Sequence, residues 1–285
     1  MKRILVATDF SPHAERALEW AAALARRFGA ELELATSVFV VPFASVPGGY
    51  AAQPDNLRGA RAATERRLEE LAAELAGSGV RAHYTVLHED PSSGICALAR
   101  EKGAELVALG TRGRAGLAHV LLGSVAERVA RLAHCPVLTV HAEVSAPRPL
   151  RKLLVPSDFS DPAAAALQLA SWFVEPGGSV VVLHAIQPVL APGEPSAPLP
   201  DPRSEAWARA EFEKQRALCP GATLEFDLRY SLADPGILAA ATEHAVDAIV
   251  MGTRGRTGLA HVLLGSVAER VIRRAALPVI TTRPR

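Results

Sequence analysis

Short apolar runs and longer amphipathic stretches alternate along the chain. Arg3–Ala7 is an apolar burst that gives way to polar residues at Thr8 and Asp9. Pro12–Phe28 follows with Ala17, Leu18, Ala21 and Leu24 at helical spacing. Residues 31–39 read as a strand, 42–59 as a Pro- and Gly-rich loop, and 61–76, charged but punctuated by leucine, as a helix. A strand over 80–88, a helix over 92–102, a strand over 105–109, a helix over 124–133 and a last strand, Val137–Val140, complete the series. Strands centred near Leu153, Val181, Phe226, Ile249 and Ile280 repeat it. Leu106-Val107-Ala108-Leu109 and Ala248-Ile249-Val250-Met251 are apolar without interruption, as strands covered on both faces must be. Strands that alternate with helices predict a parallel sheet with helices on each side.

The repetition extends to the residues themselves. Gly110-Thr111-Arg112-Gly113-Arg114-Ala115-Gly116-Leu117-Ala118-His119, continuing Val120-Leu121-Leu122-Gly123-Ser124-Val125-Ala126-Glu127-Arg128-Val129, returns over 252–271 with the single change of Ala115 to Thr257. Thr8-Asp9-Phe10-Ser11 likewise matches Ser157-Asp158-Phe159-Ser160. A period of about 140–150 residues is too long for a solenoid and long enough for a domain. The sequence therefore predicts an α/β chain of two tandem doubly wound parallel five-stranded sheets, Rossmann-like. Domains are expected over 1–142 and 150–285, with a polar, proline-bearing linker over 143–149.

The loop after the fourth strand of each half carries the chemistry. Gly110, Gly113, Gly123 and Ser124 recur as Gly252, Gly255, Gly265 and Ser266. Glycines after a strand let bare backbone approach a ligand, and successive amides form an anion-binding concavity. A helix beginning at Ser124 or Ser266 adds the positive end of its dipole, which completes a phosphate site. Arg112 and Arg114, or Arg254 and Arg256, can add charge-assisted contacts. If the strand order is 3-2-1-4-5, each sheet switches direction between strands one and four, where ligands of doubly wound folds sit. Asp9 and Asp158 end the first strands, so each faces a glycine loop across that crevice, placed to take ribose hydroxyls or Mg²⁺ through water.

Composition narrows the classes. A net charge of +1, with both signs interspersed, lacks the basic footprint of a nucleic-acid binder. No stretch approaches a membrane helix and no leader is recognisable, so the reading is no membrane and a cytoplasmic location. Cys96, Cys135 and Cys219 are scattered, with neither CxxC nor metal-ligand spacing. Ser124-x-x-Glu127 and Ser266-x-x-Glu269 read as capping boxes. Trp20, Trp172 and Trp207 lie on helical stretches and read as packing residues. His119 and His261 read as packing or capping residues rather than bases.

The acid after strand one, the loop GTRGRAGLAHVLLGSVAERV and the CPV that follows resemble the ATP-binding subclass of the universal stress protein family, whose pattern is G-x2-G-x9-G-[S/T]. Both halves fit it, and the resemblance spans nearly the whole chain apart from the linker and the loops after the second strands. It implies ATP with Mg²⁺ as ligand. Adenine would lie near Ala7, Thr8 and Val38, and near Pro156, Ser157 and Ala185. The triphosphate would lie on Gly110, Arg112, Gly113, Gly123, Ser124 and Val125, and on Gly252, Arg254, Gly255, Gly265, Ser266 and Val267. It also implies halves packed as a pseudo-dimer, paired face to face with Val137–Val140 and Val279–Thr282 at the contact, a chain able to form a homodimer, and a regulatory role read by a protein partner. The first half departs from the pattern at Ala7, Ser37 and Glu105, where the family often has Pro, His and Asp; the second half has Pro156, His184 and Asp247. An ATP-using adenylyl-transfer enzyme and a nucleotide-free interaction module are the alternatives. The first would need a catalytic signature of the HxGH or SGGxDS type, neither of which is present; the second would lack the glycine spacing. No Walker lysine follows either loop, so at most slow ATP hydrolysis is expected.

Overall fold

A computed structural model describes residues 1–38, 54–113, 122–187, 201–253 and 264–283. The first half runs β1 (Arg3–Ala7), α1 (Pro12–Phe28), β2 (Glu31–Ser37), α2 (Pro54–Gly77), β3 (Ala82–Leu87), α3 (Pro91–Glu101), β4 (Leu106–Gly110), α4 (Ser124–Leu132) and β5 (Val137–Val140). The second runs β6 (Lys152–Pro156), α5 (Asp161–Phe173), β7 (Ser179–Ile186), α6 (Pro202–Gln215), β8 (Thr223–Tyr230), α7 (Ala233–Glu243), β9 (Ala248–Gly252), α8 (Ser266–Arg274) and β10 (Val279–Thr282). Helix α1 shows how local sequence sets these bounds. The Ser11 hydroxyl accepts from the Ala14 amide, Pro12 occupies the first turn, and Gly29, at φ 64°, ends the helix by donating back to the Ala25 carbonyl. Ala17, Trp20, Ala21 and Leu24 form the buried face.

The strand order is β3-β2-β1-β4-β5-β10-β9-β6-β7-β8. Each half has the expected order 3-2-1-4-5, all parallel, but the two are not separate sheets laid face to face. They join edge to edge: β5 pairs with β10 antiparallel, Thr139 opposite Val279 and Thr281 opposite Val137, giving one ten-stranded sheet. The physical reason is that both strands end a five-stranded sheet with open hydrogen-bonding edges, which pairing satisfies. The Thr139 hydroxyl donates to the Val279 carbonyl at 3.2 Å and Thr281 to Val137 at 3.4 Å, one from each half.

Side chains alternate across this sheet into two apolar layers. Ile4, Val6, Leu138 and Ile280 point to the side of α1, α2, α5 and α6. Leu5, Val107, Val137 and Val279 point to the side of α3, α4, α7 and α8. Both layers run across the seam, so the halves share their core. A second tie lies between α1 and α5, where Phe28 meets Phe173 edge-on with ring centroids 6.0 Å apart. Arg27 donates to the carbonyls of Phe173 and Val174 and pairs with Glu175 at 3.1 Å.

Two local expectations are corrected. The stretch read as loop up to residue 59 is helical from Pro54 onward, since proline suits a first helical turn and the single Gly59 does not outweigh the formers after it. Trp172 is 61% exposed rather than packed, whereas Trp20 is buried and bonds through Nε1 to the Ser145 carbonyl at 3.1 Å. Glu105 and Asp247 lie away from the crevices, where the chain enters its parallel strands. Asp247 accepts from the Arg151 and Lys152 amides, both at 2.8 Å, and Glu105 from the Lys2 amide. The Glu-for-Asp departure thus concerns strand anchoring.

Candidate functional site

The crevice between β1 and β4 opens into a cavity of about 520 Å³, and that between β6 and β9 into one of about 360 Å³. Each stands at the carboxyl ends of parallel strands, where the strand order reverses.

One wall is the turn that follows the first strand. Phe10 and Phe159 both adopt φ 60°, a conformation costly for a bulky residue. The turn is held from both sides. The Phe10 amide donates to the Thr8 hydroxyl at 3.0 Å and the Ser11 amide to Asp9 Oδ1 at 3.1 Å. Phe159–Ser157 and Ser160–Asp158 repeat the arrangement at 3.0 and 3.1 Å. Asp9 and Asp158 therefore each spend one oxygen on shaping the turn. The strained aromatic that follows each of them was not anticipated; its only trace in the sequence is the repeated Asp-Phe-Ser.

The glycine loop is the opposite wall. A β-carbon on Gly113 would lie 2.7 Å from Asp9 Oδ2, so acid and loop do meet across the crevice. The Arg112 carbonyl accepts from the Ser11 hydroxyl at 3.4 Å, tying the loop to the start of α1. Arg112 Nε is buried with no hydrogen-bond partner among the described residues, as are Arg131 Nε and Arg270 Nε, but Arg112 alone of the three lines a cavity. Gly110 and Gly252 line the two cavities, and each also answers a packing need. A β-carbon on Gly110 would strike the backbone of His13 and Ala14 at 2.7–2.8 Å, so this glycine lets β4 pass α1; Gly252 does the same against Pro162 at 2.9 Å.

Gly123 and Gly265 are helix N-caps, and their amides close the loop on the carbonyls of Thr111 and Thr253 at 2.8 Å. Ser124 and Ser266 are the first helical residues and make no cap bond, so the expected capping boxes do not form. The glycine, one residue earlier, has taken the cap position. That leaves the two serines exposed at the cavity rim with Val125 and Val267, at a helix start whose first amides have no intrahelical acceptor.

Ala7, Thr8, Pro156, Ser157 and Ala185 all line the cavities. Val38 does not. It lies past the end of β2, bonded through its amide to the Leu87 carbonyl, and Thr36 and Ser37 line the cavity in its place. In the second cavity His184 takes the position of Thr36, not of Ser37 as expected, because Ala7 pairs with Ala35 and Pro156 with Leu183; its Nδ1 donates to the Ser157 carbonyl at 2.8 Å. Arg254 and Gly255, with Arg114, Arg256, His119 and His261, lie outside the described residues.

Behind the first loop sits a polar cluster the sequence did not announce. Thr111 Oγ1 lies 2.8 Å from His141 Nδ1 and 3.4 Å from His13 Nδ1. Burial pushes both imidazoles below their ordinary value. Glu143 is held lower than usual by a backbone hydrogen bond. No cluster of this kind was legible, because His13 and His141 have Pro162 and Arg283 as their counterparts in the repeat.

Among the described residues no helix is long and apolar enough to cross a membrane. A sequence model of the universal stress protein family matches residues 1–141 and again 149–283. Universal stress protein Rv2623 of Mycobacterium tuberculosis is 30% identical over 98% of this chain and 96% of its own length. Universal stress protein MJ0531 of Methanocaldococcus jannaschii is 36% identical over 141 residues, 49% of this chain and 81% of that protein. A crystal structure of a universal stress protein from Archaeoglobus fulgidus superimposes with a TM-score of 0.78 at 24% identity, covering 99% of this chain and 98% of that one. That last likeness supports the fold alone, but the family model accounts for both repeats, and the chain belongs to the universal stress protein family as two tandem copies of its domain.

Proposed function

We propose that the chain binds ATP with Mg²⁺ in the cavities at its two switch points and acts as a regulatory nucleotide-binding protein in the stress response, its bound state read by a protein partner. The observation that carries this reading is the buried, unpartnered Arg112 Nε beside a glycine that admits close approach and a carboxylate across the crevice. A buried donor without an acceptor is what a phosphate oxygen would satisfy. Cavities of about 520 and 360 Å³ suit a small-molecule ligand.

In this reading the α4 and α8 N-termini and the loop amides take the phosphates, and Ala7, Thr8, Pro156, Ser157 and Ala185 flank the adenine. Asp9 and Asp158 face Mg²⁺ through water, and the ion neutralises phosphate charge when bound. The test is titration calorimetry with Mg-ATP on protein stripped of nucleotide by unfolding and refolding, followed by ADP, AMP and cyclic nucleotides. Binding near micromolar, about −8 kcal/mol, is expected at one or two sites per chain. Absence of heat with every nucleotide would overturn the reading in favour of an interaction module.

A further inference from the structure

His141 stands where the two halves meet and touches both. It follows β5 directly, and its Nε2 lies 2.7 Å from the Ile272 carbonyl in the last turn of α8, across the seam. A carbonyl only accepts, so Nε2 carries the proton and Nδ1 of the neutral ring is an acceptor. Thr111 therefore donates its hydroxyl to Nδ1, at 2.8 Å. The Thr111 carbonyl in turn receives the Gly123 amide that closes the first loop, at 2.8 Å. Ile272 is among the final residues of α8, whose carbonyls the helix leaves unsatisfied, so His141 caps that helix from the other half. The same helix begins at Ser266 on the rim of the second cavity.

His13, His141 and Glu143 hold three potential metal ligands within 4.8 Å of one another. Both nitrogens of His141 are already engaged, and His13 Nδ1 accepts the Ala142 amide at 2.9 Å. A cation would have to displace Thr111 and a strand-end amide, so the cluster reads as a hydrogen-bonded relay. The counterpart of His141 after β10 is Arg283, whose guanidinium offers no acceptor, and Thr253 Oγ1 has no partner among the described residues.

We propose that His141 is a positioning residue that holds the first glycine loop and the last turn of α8 in one hydrogen-bonded chain, so that the first cavity, and not the second, answers to protonation of the seam. Protonating His141 turns Nδ1 into a donor and forces the Thr111 hydroxyl round toward His13. Protonating His13 at Nδ1 sets it against the Ala142 amide. The charged groups that act on the pair are Glu143 after β5, Arg112 from the loop and Asp9 after β1, with the Ile272 carbonyl facing from α8.

The pH effect at the first cavity rests on the nucleotide reading, so the test has one arm that does not. Ser124 and Ser266 are exposed, and Ser124→Asp or Ser266→Asp silences one site by repelling phosphate. With unmutated His141, Mg-ATP affinity read at the first site (Ser266→Asp) is expected to fall at least threefold more between pH 7.5 and 5.5 than at the second site (Ser124→Asp). The nucleotide's own titration affects both alike and cancels. His141→Gln keeps a donor toward Ile272 and loses the Thr111 contact; His141→Asn does the reverse. Gln is expected to weaken the first site at least threefold with α8 undisturbed. Asn is expected to speed amide exchange in the last turn of α8 about tenfold, with or without nucleotide, and to leave the first loop in place. Equal pH profiles at the two sites, or α8 exchange that Gln and Asn change alike, would overturn the relay. If neither silenced protein binds Mg-ATP at pH 7.5, the nucleotide reading fails, and faster α8 exchange in Asn but not in Gln still decides for the cross-seam cap.

Discussion

A β-carbon on Gly113 would sit 2.7 Å from Asp9 Oδ2, so the fourth loop and the first acid of the chain share a space that admits no side chain. Gly110, three residues earlier, excludes a side chain for the unrelated reason that helix backbone fills the space. The two substitutions separate the roles. Gly113→Val is expected to weaken Mg-ATP binding at the first site at least tenfold while lowering stability by about 1 kcal/mol or less, because it displaces only the end of a side chain. Gly110→Val is expected to cost about 3 kcal/mol by overpacking against α1. Calorimetric titration and urea denaturation of the pair check both; an inert Gly113→Val would remove the loop from the site.

Arg112 supplies the second prediction. Replacement by Met keeps the stem and removes the buried donor. Affinity for Mg-ATP at the first site is expected to drop about tenfold, roughly the 1.4 kcal/mol of one charge-assisted contact, with AMP affected less. Competition titrations with the two nucleotides would show the difference, and equal losses would argue against a phosphate contact.

Acid should loosen the seam. His13 and His141 are both held below their ordinary value of 6.5 by burial, so the folded state binds fewer protons than the unfolded one as pH falls. The stability they favour is fully present above about 6.5, declines as pH drops through that value, and is lost below their folded values. Thermal melts between pH 7.5 and 5 are expected to show this decline, and His13→Gln with His141→Gln to flatten it.

Arg27 predicts a cost across the halves. Arg27→Ala removes its contacts to the Phe173 and Val174 carbonyls and to Glu175, and is expected to lose about 1–2 kcal/mol, partial exposure discounting the ion pair. A single cooperative urea transition is expected to persist, because both apolar layers remain continuous.

Cys135 is half-buried, and burial pushes its thiol up to about 12. Little thiolate exists at pH 8, so a disulfide reagent is expected to react with it far more slowly in the native protein than after unfolding. Rapid native labelling would contradict that environment.

How far the sequence reached follows from what repeats. Apolar periodicity and the doubled glycine spacing carried the alternation of strands and helices and the position of the loops, because both are local signals; the strand order that brings the crevice together is not local. The Asp9–Gly113 approach was legible once that order was supposed. The packing use of Gly110 was not, since packing of β4 on α1 joins residues almost a hundred positions apart. Ser124 looked like a cap because its spacing to Glu127 is right, yet Gly123 took the position. The His141 relay left no signal, as its partners come from α1, the loop and the other half, and the repeat does not preserve it.

The antiparallel join of β5 to β10 also has a genetic consequence. In a symmetric pair built from one short chain, every substitution arises in both subunits at once, so neither member can specialise. Fusion lifts that restriction. His141 can stand where the other copy has Arg283, and Thr36 where it has His184, each half changing without the other. Covalent linkage also fixes which two copies meet, and so preserves the division of labour through every round of unfolding and refolding.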